Sequence, residues 1–289
     1  SNEGIEVMIK YDIFNREDLY WKISVNGARN WNRFEKSYDG KDFGGNIIGK
    51  PLNGIYALKT DGFINEQDEM KVFYNQQGVS NYLSNFYKGA FYKPGDYKFV
   101  DVNGDGTIGS GDAVYCGSAL PIVSGGIVNE FQWKNFDVNI LLSFQLGRHM
   151  LNITQTRCLS GFGAAEYPAI VMNLNKVSFW EKPGDNPDFP RWQYDWDTYL
   201  WGGRYVDRRV EKVNWLKIKT VSIGYTLPKA WMQKCGLDEL RIFASGENLH
   251  TFTNYSGIEP EIVDIRNGED VGSSYPLARK LTLGLTLKF

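Results

Sequence analysis

The residues best suited to chemistry form one acidic run, Asp101-x-Asn103-x-Asp105-Gly106-x-Ile108-x-x-x-Asp112. Side-chain oxygens fall at positions 1, 3, 5 and 12 of this run, and a glycine at position 6 allows a sharp turn. The spacing is typical of an EF-hand-type loop, because Ca²⁺ prefers several converging oxygen ligands. The run predicts a structural Ca²⁺ site whose ligands are Asp101, Asn103, Asp105, Thr107 (through its carbonyl) and Asp112.

Two features distinguish this run from a regular EF-hand. Position 12 is the shorter Asp112 rather than glutamate, and Gly109 at position 9 can contribute only a water. No clear helix pattern flanks the run, so we interpret it as an isolated calcium clasp rather than half of a sensor pair. The alternative is a turn rich in Asp, Asn and Gly that holds no metal.

Aromatic and acidic residues are interleaved between positions 180 and 201. Indole and phenol rings beside carboxylates suit stacking on sugar rings together with hydrogen bonds to hydroxyl groups, and binding residues concentrate on loops. The alternatives are burial of these rings within the loop and packing against a partner protein. The predicted substrate-binding residues are Trp180, Trp192, Tyr194, Trp196 and Trp201.

No arrangement of residues predicts catalysis. The loop carboxylates show no spacing that singles out an acid and base pair, and His149 and His250 fall at predicted strand ends. The cysteines Cys116, Cys158 and Cys235 are widely spaced, so neither a disulfide framework nor a zinc site is predicted. We therefore expect a protein that is not an enzyme.

Composition narrows the class of protein. Among 289 residues, 31 are glycine and 15% are aromatic, which favours sheets. The 32 Lys and Arg against 34 Asp and Glu give a net charge of -2, so no basic field predicts nucleic-acid binding. No run of about 18 apolar residues predicts a transmembrane helix, whereas a membrane-spanning strand needs only about 9–11 residues with one apolar face.

Period-2 alternation of apolar and polar residues predicts seven strands. The pattern is clearest from Phe136 to Leu146. In the fifth strand the apolar residues change from even to odd positions near Thr220. This shift predicts a β-bulge. The predicted strands cover residues 4–14, 19–33, 122–132, 135–148, 213–227, 239–249 and 278–289.

Short and long connections alternate strictly between these strands. The long loops, residues 35–121, 149–212 and 250–277, hold about 87, 64 and 28 residues. If neighbouring strands are antiparallel, all long loops meet at one end, as in an up-and-down transmembrane β-barrel with long extracellular loops. A soluble β-sandwich also alternates apolar and polar faces, but the loop asymmetry and the aromatic residues near strand ends favour the barrel. Seven strands leave two open edges, so we expect the rest of the barrel elsewhere.

Eight short motifs follow one another along nearly the whole chain. They are Pro94-Gly95-Asp96, Asp101-Val102-Asn103-Gly104-Asp105-Gly106, Pro121 with Gly125-Gly126, Asn135-Phe136-Asp137, Ile223-Gly224-Tyr225-Thr226-Leu227-Pro228, Glu247-Asn248-Leu249, Gly257-Ile258-Glu259-Pro260-Glu261 and Tyr275-Pro276. In this order they resemble the last third of SusC/RagA-type TonB-dependent outer-membrane transporters. Each motif alone is weak, and the combination is specific.

The resemblance implies an all-β fold in which residues 1–289 are the C-terminal portion of one barrel domain of about 22 strands. The plug domain, the TonB box and the signal peptide are expected to lie outside this sequence. Such proteins lie in the outer membrane of Gram-negative bacteria with their long loops outside the cell. This chain would then form barrel wall and loops that face substrate and lipoprotein.

The resemblance also implies TonB-dependent import of oligosaccharides or peptides. The expected partners are a SusD-like surface lipoprotein, the remaining barrel and plug, the TonB complex acting through the plug, and the barrel-assembly machinery. That machinery would recognise Phe289, the aromatic residue that ends the last alternating strand. The alternative function is a secreted, calcium-stabilised β-sandwich that binds glycans, and an outer-membrane hydrolase is a weaker third hypothesis.

Overall fold

The computed structural model describes residues 1–42, 46–66, 94–106, 108–155, 177–191, 205–232, 236–272 and 275–289. Strands dominate it, and seven of them are long. In chain order the elements are β1 (Asn2–Arg16), β2 (Leu19–Asn32), β3 (Gly54–Leu58), β4 (Thr60–Phe63), β5 (Tyr97–Phe99), β6 (Ala113–Ser118), β7 (Val123–Trp133), β8 (Phe136–Asn152), β9 (Val210–Thr226), α1 (Lys229–Met232), β10 (Glu239–Thr253), β11 (Glu269–Asp270) and β12 (Lys280–Lys288).

Across the described ranges, no helix is both long enough and apolar enough to cross a membrane.

The seven long strands form one sheet in chain order, β1-β2-β7-β8-β9-β10-β12. Each strand is antiparallel to the next. The β1–β2, β7–β8 and β9–β10 connections therefore lie at one end of the sheet, the turn end. The three long connections lie at the opposite end, the loop end. The predicted antiparallel, up-and-down arrangement of about seven strands is confirmed.

The pairing register gives this sheet one apolar and one polar face. Residues directly opposite each other on neighbouring strands share a face. One such row across four strands is Val138, Ile223, Ala244 and Leu283, and the adjacent row on the other face is Asn139, Ser222, Ser245 and Thr282. The apolar face is open, since Leu283 is 86% exposed. A face of this kind suits contact with hydrocarbon.

The predicted β-bulge in β9 is confirmed. The register of β8 against β9 passes over Lys219, between the pairs made by Ile218 and Thr220. The extra residue moves the apolar side chains of β9 from even to odd positions, so Ile218 and Val221 both lie on the apolar face. The shift from even to odd positions therefore keeps one face of β9 apolar along the whole strand.

Three strands run at least three residues further toward the loop end than the sequence pattern predicts. Strand β8 ends at Asn152 rather than 148, β9 begins at Val210 rather than 213, and β10 ends at Thr253 rather than 249. Loops cover both faces there, and the consecutive residues Met150, Leu151 and Asn152 are all buried. Alternation is therefore lost where the strand is still continuous.

Most of the buried side chains lie at the loop end rather than in the sheet wall. Two small antiparallel ribbons, β3–β6 and β4–β5, are built from the first long connection. The clusters are Phe63, Tyr97, Phe99, Ile108 and Val206; Met150, Val213, Trp215 and Tyr255; and Ile55, Leu151 and Ile153. The described loop segments are consequently packed against the strand ends.

On the polar face, an ion pair crosses β9 above Gly224. Arg241 on β10 donates from Nε to Asp137 Oδ1 at 3.0 Å and from Nη2 to Asp137 Oδ2 at 2.5 Å, and Asp137 lies on β8. A Cβ atom at Gly224 would overlap both partners. The glycine of the Ile223-Gly224-Tyr225 motif therefore provides the space for a link between two strands that are not neighbours.

We expect Gly224→Val to lower the free energy of unfolding by about 2 kcal/mol, because the new side chain displaces this ion pair. The measurement is urea unfolding of the purified protein in detergent. Gly27→Val is the matched control, because a Cβ atom at Gly27 meets nothing within 4 Å, and it should change stability by no more than about 0.5 kcal/mol. Equal losses in the two variants would contradict the assignment.

Candidate functional site

The loop end of the sheet brings distant segments of the chain together. Residues 254–272 cross the ends of β8 and β9, and β11 pairs in parallel with the end of β8, Glu269 opposite Leu151. An isolated parallel bridge joins Leu58 of β3 to Val206, just before β9. Parts of all three long connections therefore contribute to one assembly.

The first half of the predicted calcium run folds around the carboxylate of Asp101. Its Oδ1 and Oδ2 atoms accept hydrogen bonds from the backbone amides of Gly104 at 2.7 Å and Gly106 at 2.8 Å. Both glycines have positive φ, +74° and +78°, a conformation that costs glycine little. The sharp turn expected at position 6 is present.

The second half of the run closes through Asp112, which is buried. Its Oδ1 accepts from the amide of Val102 at 2.8 Å, and its Oδ2 accepts from the amide of Gly109 at 2.7 Å. These bonds join the two ends of the loop. Thr107 lies outside the described residues.

The middle of the run is held by Asn103 and Asp105. The Asp105 amide donates to Asn103 Oδ1 at 2.9 Å, and Asn103 Nδ2 donates to Asp105 Oδ2 at 3.0 Å. Within the ranges that the structure describes, no three His, Cys, Asp or Glu side chains converge as a metal-binding group. Calcium binding remains a prediction.

Trp180 packs into the loop core. It lies against the cluster that contains Phe63 and Tyr97, and its ring approaches Gly95, where a Cβ atom would not fit. The neighbouring Arg191 fixes the same place through Nε to Asp96 Oδ1 at 2.8 Å. The other predicted ligand-binding residues, Trp192, Tyr194, Trp196 and Trp201, lie outside the described residues. An open cavity of about 820 Å³, lined in part by Phe179, Glu181 and Asp185, borders this loop.

A buried lysine fastens the third connection to the polar face. Lys217 is 1% exposed, and its Nζ donates to Glu259 Oε1 at 2.9 Å and to Glu261 Oε2 at 2.7 Å. Lys219, the bulged residue of β9, also donates to Glu261. We call Lys217, Lys219, Glu259 and Glu261 the lysine clamp.

The clamp controls the ionisation of Glu261. Burial on its own would raise the pKa of this carboxyl, but the hydrogen bonds from Lys217 and Lys219 outweigh it and hold the pKa below its ordinary value. The sequence motif from Gly257 to Glu261 contains both glutamates. The alternation of apolar and polar residues in β9 places both lysines on the polar face. What sequence reasoning missed was their pairing across more than 40 residues.

A second buried network joins the same connection to the end of β8. Tyr255 donates from its hydroxyl to Asp270 Oδ2 at 2.5 Å, and Thr154 Oγ1 donates to Asp270 Oδ1 at 3.0 Å. Burial, and then the charge of Asp270, raises the pKa of Tyr255, so the phenol stays protonated and acts as a donor. Sequence reasoning missed this network because none of its members belongs to a local pattern.

Arg209 links the first and second connections. Its Nη2 donates to the Tyr97 hydroxyl at 2.8 Å and its Nη1 to Gln155 Oε1 at 2.9 Å. The guanidinium carbon lies 3.7 Å from the centre of the Phe189 ring, a cation–π contact. The charge is therefore held by polar and aromatic groups at a junction of loops.

Phe289 ends the chain beside β12 on the apolar side of the sheet and is exposed. Among the described strands, β12 pairs only with β10 and β1 only with β2, so each leaves one edge of the sheet open. Nothing in this geometry tests recognition of Phe289 by an assembly factor.

The chain is similar over its full length to proteins named TonB-dependent receptors. It is 31% identical over 305 residues to TonB-dependent receptor P3 of Formosa agariphila, of which it covers 29%. It is 23% identical over 304 residues to TonB-dependent receptor SusC of Bacteroides thetaiotaomicron, of which it covers 26%. No family model matches the sequence.

Solved structures show the same fold. The whole chain superposes on 29% of a chain of the RagAB peptide transporter, with a TM-score of 0.66 and 18% sequence identity. It also matches the RagAB peptide importer in its "open-open" state, with a TM-score of 0.63 and 19% identity, covering 28% of that chain. The predicted fold class, part of a larger antiparallel β-barrel, is confirmed.

The fold thus defines the class of protein as a section of a RagA-type β-barrel with its loop assembly. By sequence, the chain is a homologue of the SusC/RagA-type TonB-dependent receptors. It spans less than a third of the length of these relatives.

We expect Lys217→Met to release residues 254–272 from the sheet, because two partly buried glutamates lose their shared counter-charge. The local free energy of opening should fall by about 2–3 kcal/mol, somewhat less than for a fully buried pair. Hydrogen exchange of residues 254–272 measures this.

Lys280→Met is the control for that experiment. Lys280 Nζ lies 3.4 Å from Glu247 Oε1, and both side chains are exposed. Its loss should change local stability by about 0.5 kcal/mol or less. Unchanged exchange in Lys217→Met would contradict the role of the clamp.

Proposed function

We propose that this chain forms barrel wall and substrate-facing loops of a TonB-dependent importer in the outer membrane of a Gram-negative bacterium. The observation that carries the proposal is that this whole chain is similar to part of a TonB-dependent receptor. The two-faced sheet supports it, because an apolar face suits lipid and a polar face suits the interior of a large barrel. The loop end would face outside the cell.

The proposed substrates are oligosaccharides or peptides. Aromatic and acidic residues in the second connection support sugar binding, while the structurally similar RagAB is named a peptide transporter. A SusD-like surface lipoprotein would cover the loop end. The remaining strands, the plug and the TonB complex would complete the transporter. The chemistry of import would be limited to binding and release of the substrate.

We expect cells that lack the receptor to lose energised uptake of one nutrient class. The measurement is uptake of labelled oligosaccharide and peptide pools by intact cells, with and without a protonophore. Loss of protonophore-sensitive uptake of either pool supports import and names the class. Unchanged uptake of both pools contradicts the proposal.

Ligand contact by the aromatic stretch is a separate part of the proposal. Trp180 holds the loop core, so direct contact is expected from Trp192, Tyr194, Trp196 and Trp201 rather than from Trp180. A Trp192→Ala receptor that binds its substrate as tightly as wild type would argue against this contact.

We also propose that the run from Asp101 to Asp112 binds a structural Ca²⁺ ion. The donor set supports it: three carboxylates and one amide oxygen lie in 12 residues, a chemistry that a hard cation prefers. The turn at Gly104 and Gly106 gathers the early ligands on one loop. The ion would reduce repulsion among the carboxylates and stiffen the loop.

We expect chelation to increase protease cleavage within this run, and added Ca²⁺ to restore protection. Asp105→Asn keeps the side-chain size but removes a charge, so it should abolish the response to Ca²⁺. Asp185→Asn is the matched control, because Asp185 also accepts loop amides, from Glu181 and Lys182, but lies outside the run. Cleavage that is insensitive to chelation would overturn the calcium proposal.

We propose that Phe289 serves the barrel-assembly machinery. An epitope inserted after Gly40, in an exposed turn of the first long connection, should be detected on intact cells. Phe289→Ala should strongly reduce that signal, because fewer barrels are assembled, whereas Phe289→Tyr should preserve it. Total receptor is measured in parallel by immunoblot.

An epitope inserted after Lys134, in the β7–β8 turn, is the orientation control. It should be detected only after the outer membrane is permeabilised. Surface detection of this epitope would overturn the proposed orientation, and an unchanged signal in Phe289→Ala would overturn the assembly role.

A further inference from the structure

A groove lies in the apolar face of the sheet, where β2, β7 and β8 run side by side near the turn end. Its volume of about 460 Å³ falls in the range of about 300–1,000 Å³ that is usual for ligand sites. Each lining side chain is partly buried, whereas Leu281 and Leu283 on the same face are exposed. The described residues that line the groove are Trp21, Asn129, Phe131, Val138, Ile140 and Leu142.

The pairing register places these side chains in consecutive rows across the three strands. Trp21 lies opposite Phe131, which lies opposite Val138. Asn129 lies opposite Ile140, one row further from the turn end. The ring centres of Trp21 and Phe131 are 6.5 Å apart in an edge-to-face arrangement. The two aromatic rings therefore form the part of the groove nearest to the turns.

Asn129 is a polar residue on a part of the sheet that otherwise suits hydrocarbon. It is the one polar side chain among the described residues that line the groove. Within the described part of the chain, its side-chain amide makes no hydrogen bond. An amide that faces hydrocarbon without a partner is costly. A carbonyl oxygen of a ligand in the groove would accept a hydrogen bond from Nδ2 and remove this cost.

Two cations border the groove at the turn end. The guanidinium carbon of Arg16 lies 5.8 Å from the centre of the Phe14 ring, and that ring lies 6.2 Å from the ring of Trp21. Lys134 Nζ lies 5.7 Å from the centre of the Trp133 ring. No ion pair in the described ranges includes either cation. Both charges are therefore open to an anionic group of a ligand.

The two cations flank the same strand. Leu19 on β2 pairs with Arg16 on one side and with Trp133 on the other. Neighbouring strands are about 4.8 Å apart, so about 10 Å separates the backbones of Arg16 and Trp133. Lysine and arginine side chains are long and flexible enough to approach one phosphate from the two sides of such a gap.

The depth of Asn129 matches the ester groups of a lipid whose phosphate lies at these cations. Trp133 follows Asn129 by four positions on β7. Four residues of a strand span about 14 Å, which a tilt of 35–45° reduces to about 10 Å of depth. The headgroup layer of each leaflet is about 5–8 Å thick. The amide therefore lies near the boundary between headgroups and hydrocarbon.

We propose that this groove holds one phospholipid from the inner leaflet of the outer membrane. Its phosphate accepts hydrogen bonds from Arg16 and Lys134, an ester carbonyl accepts from Asn129, and an acyl chain lies along Val138 and Ile140. The choice of leaflet rests on the proposed orientation, in which the turn end faces the periplasm. Phospholipid rather than lipopolysaccharide is therefore the occupant.

A second copy of the chain suits this groove less well. A symmetric contact would place the same patch on both copies. The cations Arg16 and Lys134 would then meet their own copies, and like charges repel. A phosphate, in contrast, complements both charges.

The test uses the receptor that contains this sequence, purified in detergent, with dioleoylphosphatidylglycerol as the probe. Native mass spectrometry measures the fraction of receptor that retains one lipid as the lipid concentration rises. Wild type should retain it. The double variant Arg16→Gln, Lys134→Gln should need at least about tenfold more lipid, because two charge-assisted hydrogen bonds are lost.

Dioleoylglycerol separates the phosphate contacts from the ester contact, because it has the same chains and esters but no phosphate. Wild type should bind it at least about tenfold more weakly than the phospholipid. Loss of the two cations should not weaken it further, whereas Asn129→Leu should weaken both lipids. Equal retention of the two lipids by wild type would overturn the inference.

The double variant Lys229→Gln, Lys288→Gln is the matched control. Both lysines are exposed cations at the turn end, and neither lines the groove. This variant should retain the phospholipid as wild type does. Equal losses in the two double variants would mean that the effect reflects overall charge, and would overturn the inference.

Electron cryomicroscopy of wild-type receptor in nanodiscs of the same phospholipid gives a readout that depends on no variant. Density for one lipid should lie in the groove, with its headgroup between Arg16 and Lys134. A groove without ordered lipid, or one filled by a second protein chain, would overturn the inference.

Failure of this inference and failure of the proposed function give different results. A receptor that needs detergent and imports its nutrient but retains no phospholipid overturns the inference alone. A receptor that is monodisperse without detergent overturns the membrane location and, with it, both proposals.

Discussion

A sheet that is one chain thick, with an apolar face suited to hydrocarbon and a polar face opposite, has no core of its own. Its backbone groups must be paired within the protein, because hydrocarbon offers none a partner. The other parts of this structure follow from that constraint. The ladder runs unbroken through seven strands in chain order, and the bulge at Lys219 lengthens β9 without exchanging its faces. Side-chain links such as Arg241 to Asp137 reinforce the wall from the polar side.

The main hydrophobic clusters lie at the loop end, where buried charged side chains stabilise them. Lys217 meets two glutamates, Asp270 accepts from Tyr255 and Thr154, and Arg209 lies over Phe189. The contacts of Lys217 with Glu259 and of Thr154 with Asp270 join segments that are far apart in sequence. In a small core the cost of burying a charge is high, so each contact also fixes the position of its segments closely.

How much the sequence could predict depended on whether the signal was local. Period-2 alternation predicted the seven strands and the bulge near Thr220, because the two faces of a strand are visible in its own sequence. The part of β8 beyond Arg148 was missed, because loops cover both faces of the strand there and alternation disappears. The partners of Lys217 lie more than 40 residues away, and no local pattern could pair them. The turn of the acidic run was predictable from Gly106, whereas its metal and the contacts of Trp192 with a ligand remain predictions.

The separation between wall and loop core has an evolutionary consequence. The ladder is set by strands whose turn-end connections are short. The described parts of the long connections pack among themselves and are anchored to the wall by side chains such as Lys217. Insertions or exchanges in those connections can therefore change the surface at the loop end without shifting the register of a single strand. Such a design allows one barrel wall to carry different loop surfaces while its strand frame is inherited nearly unchanged.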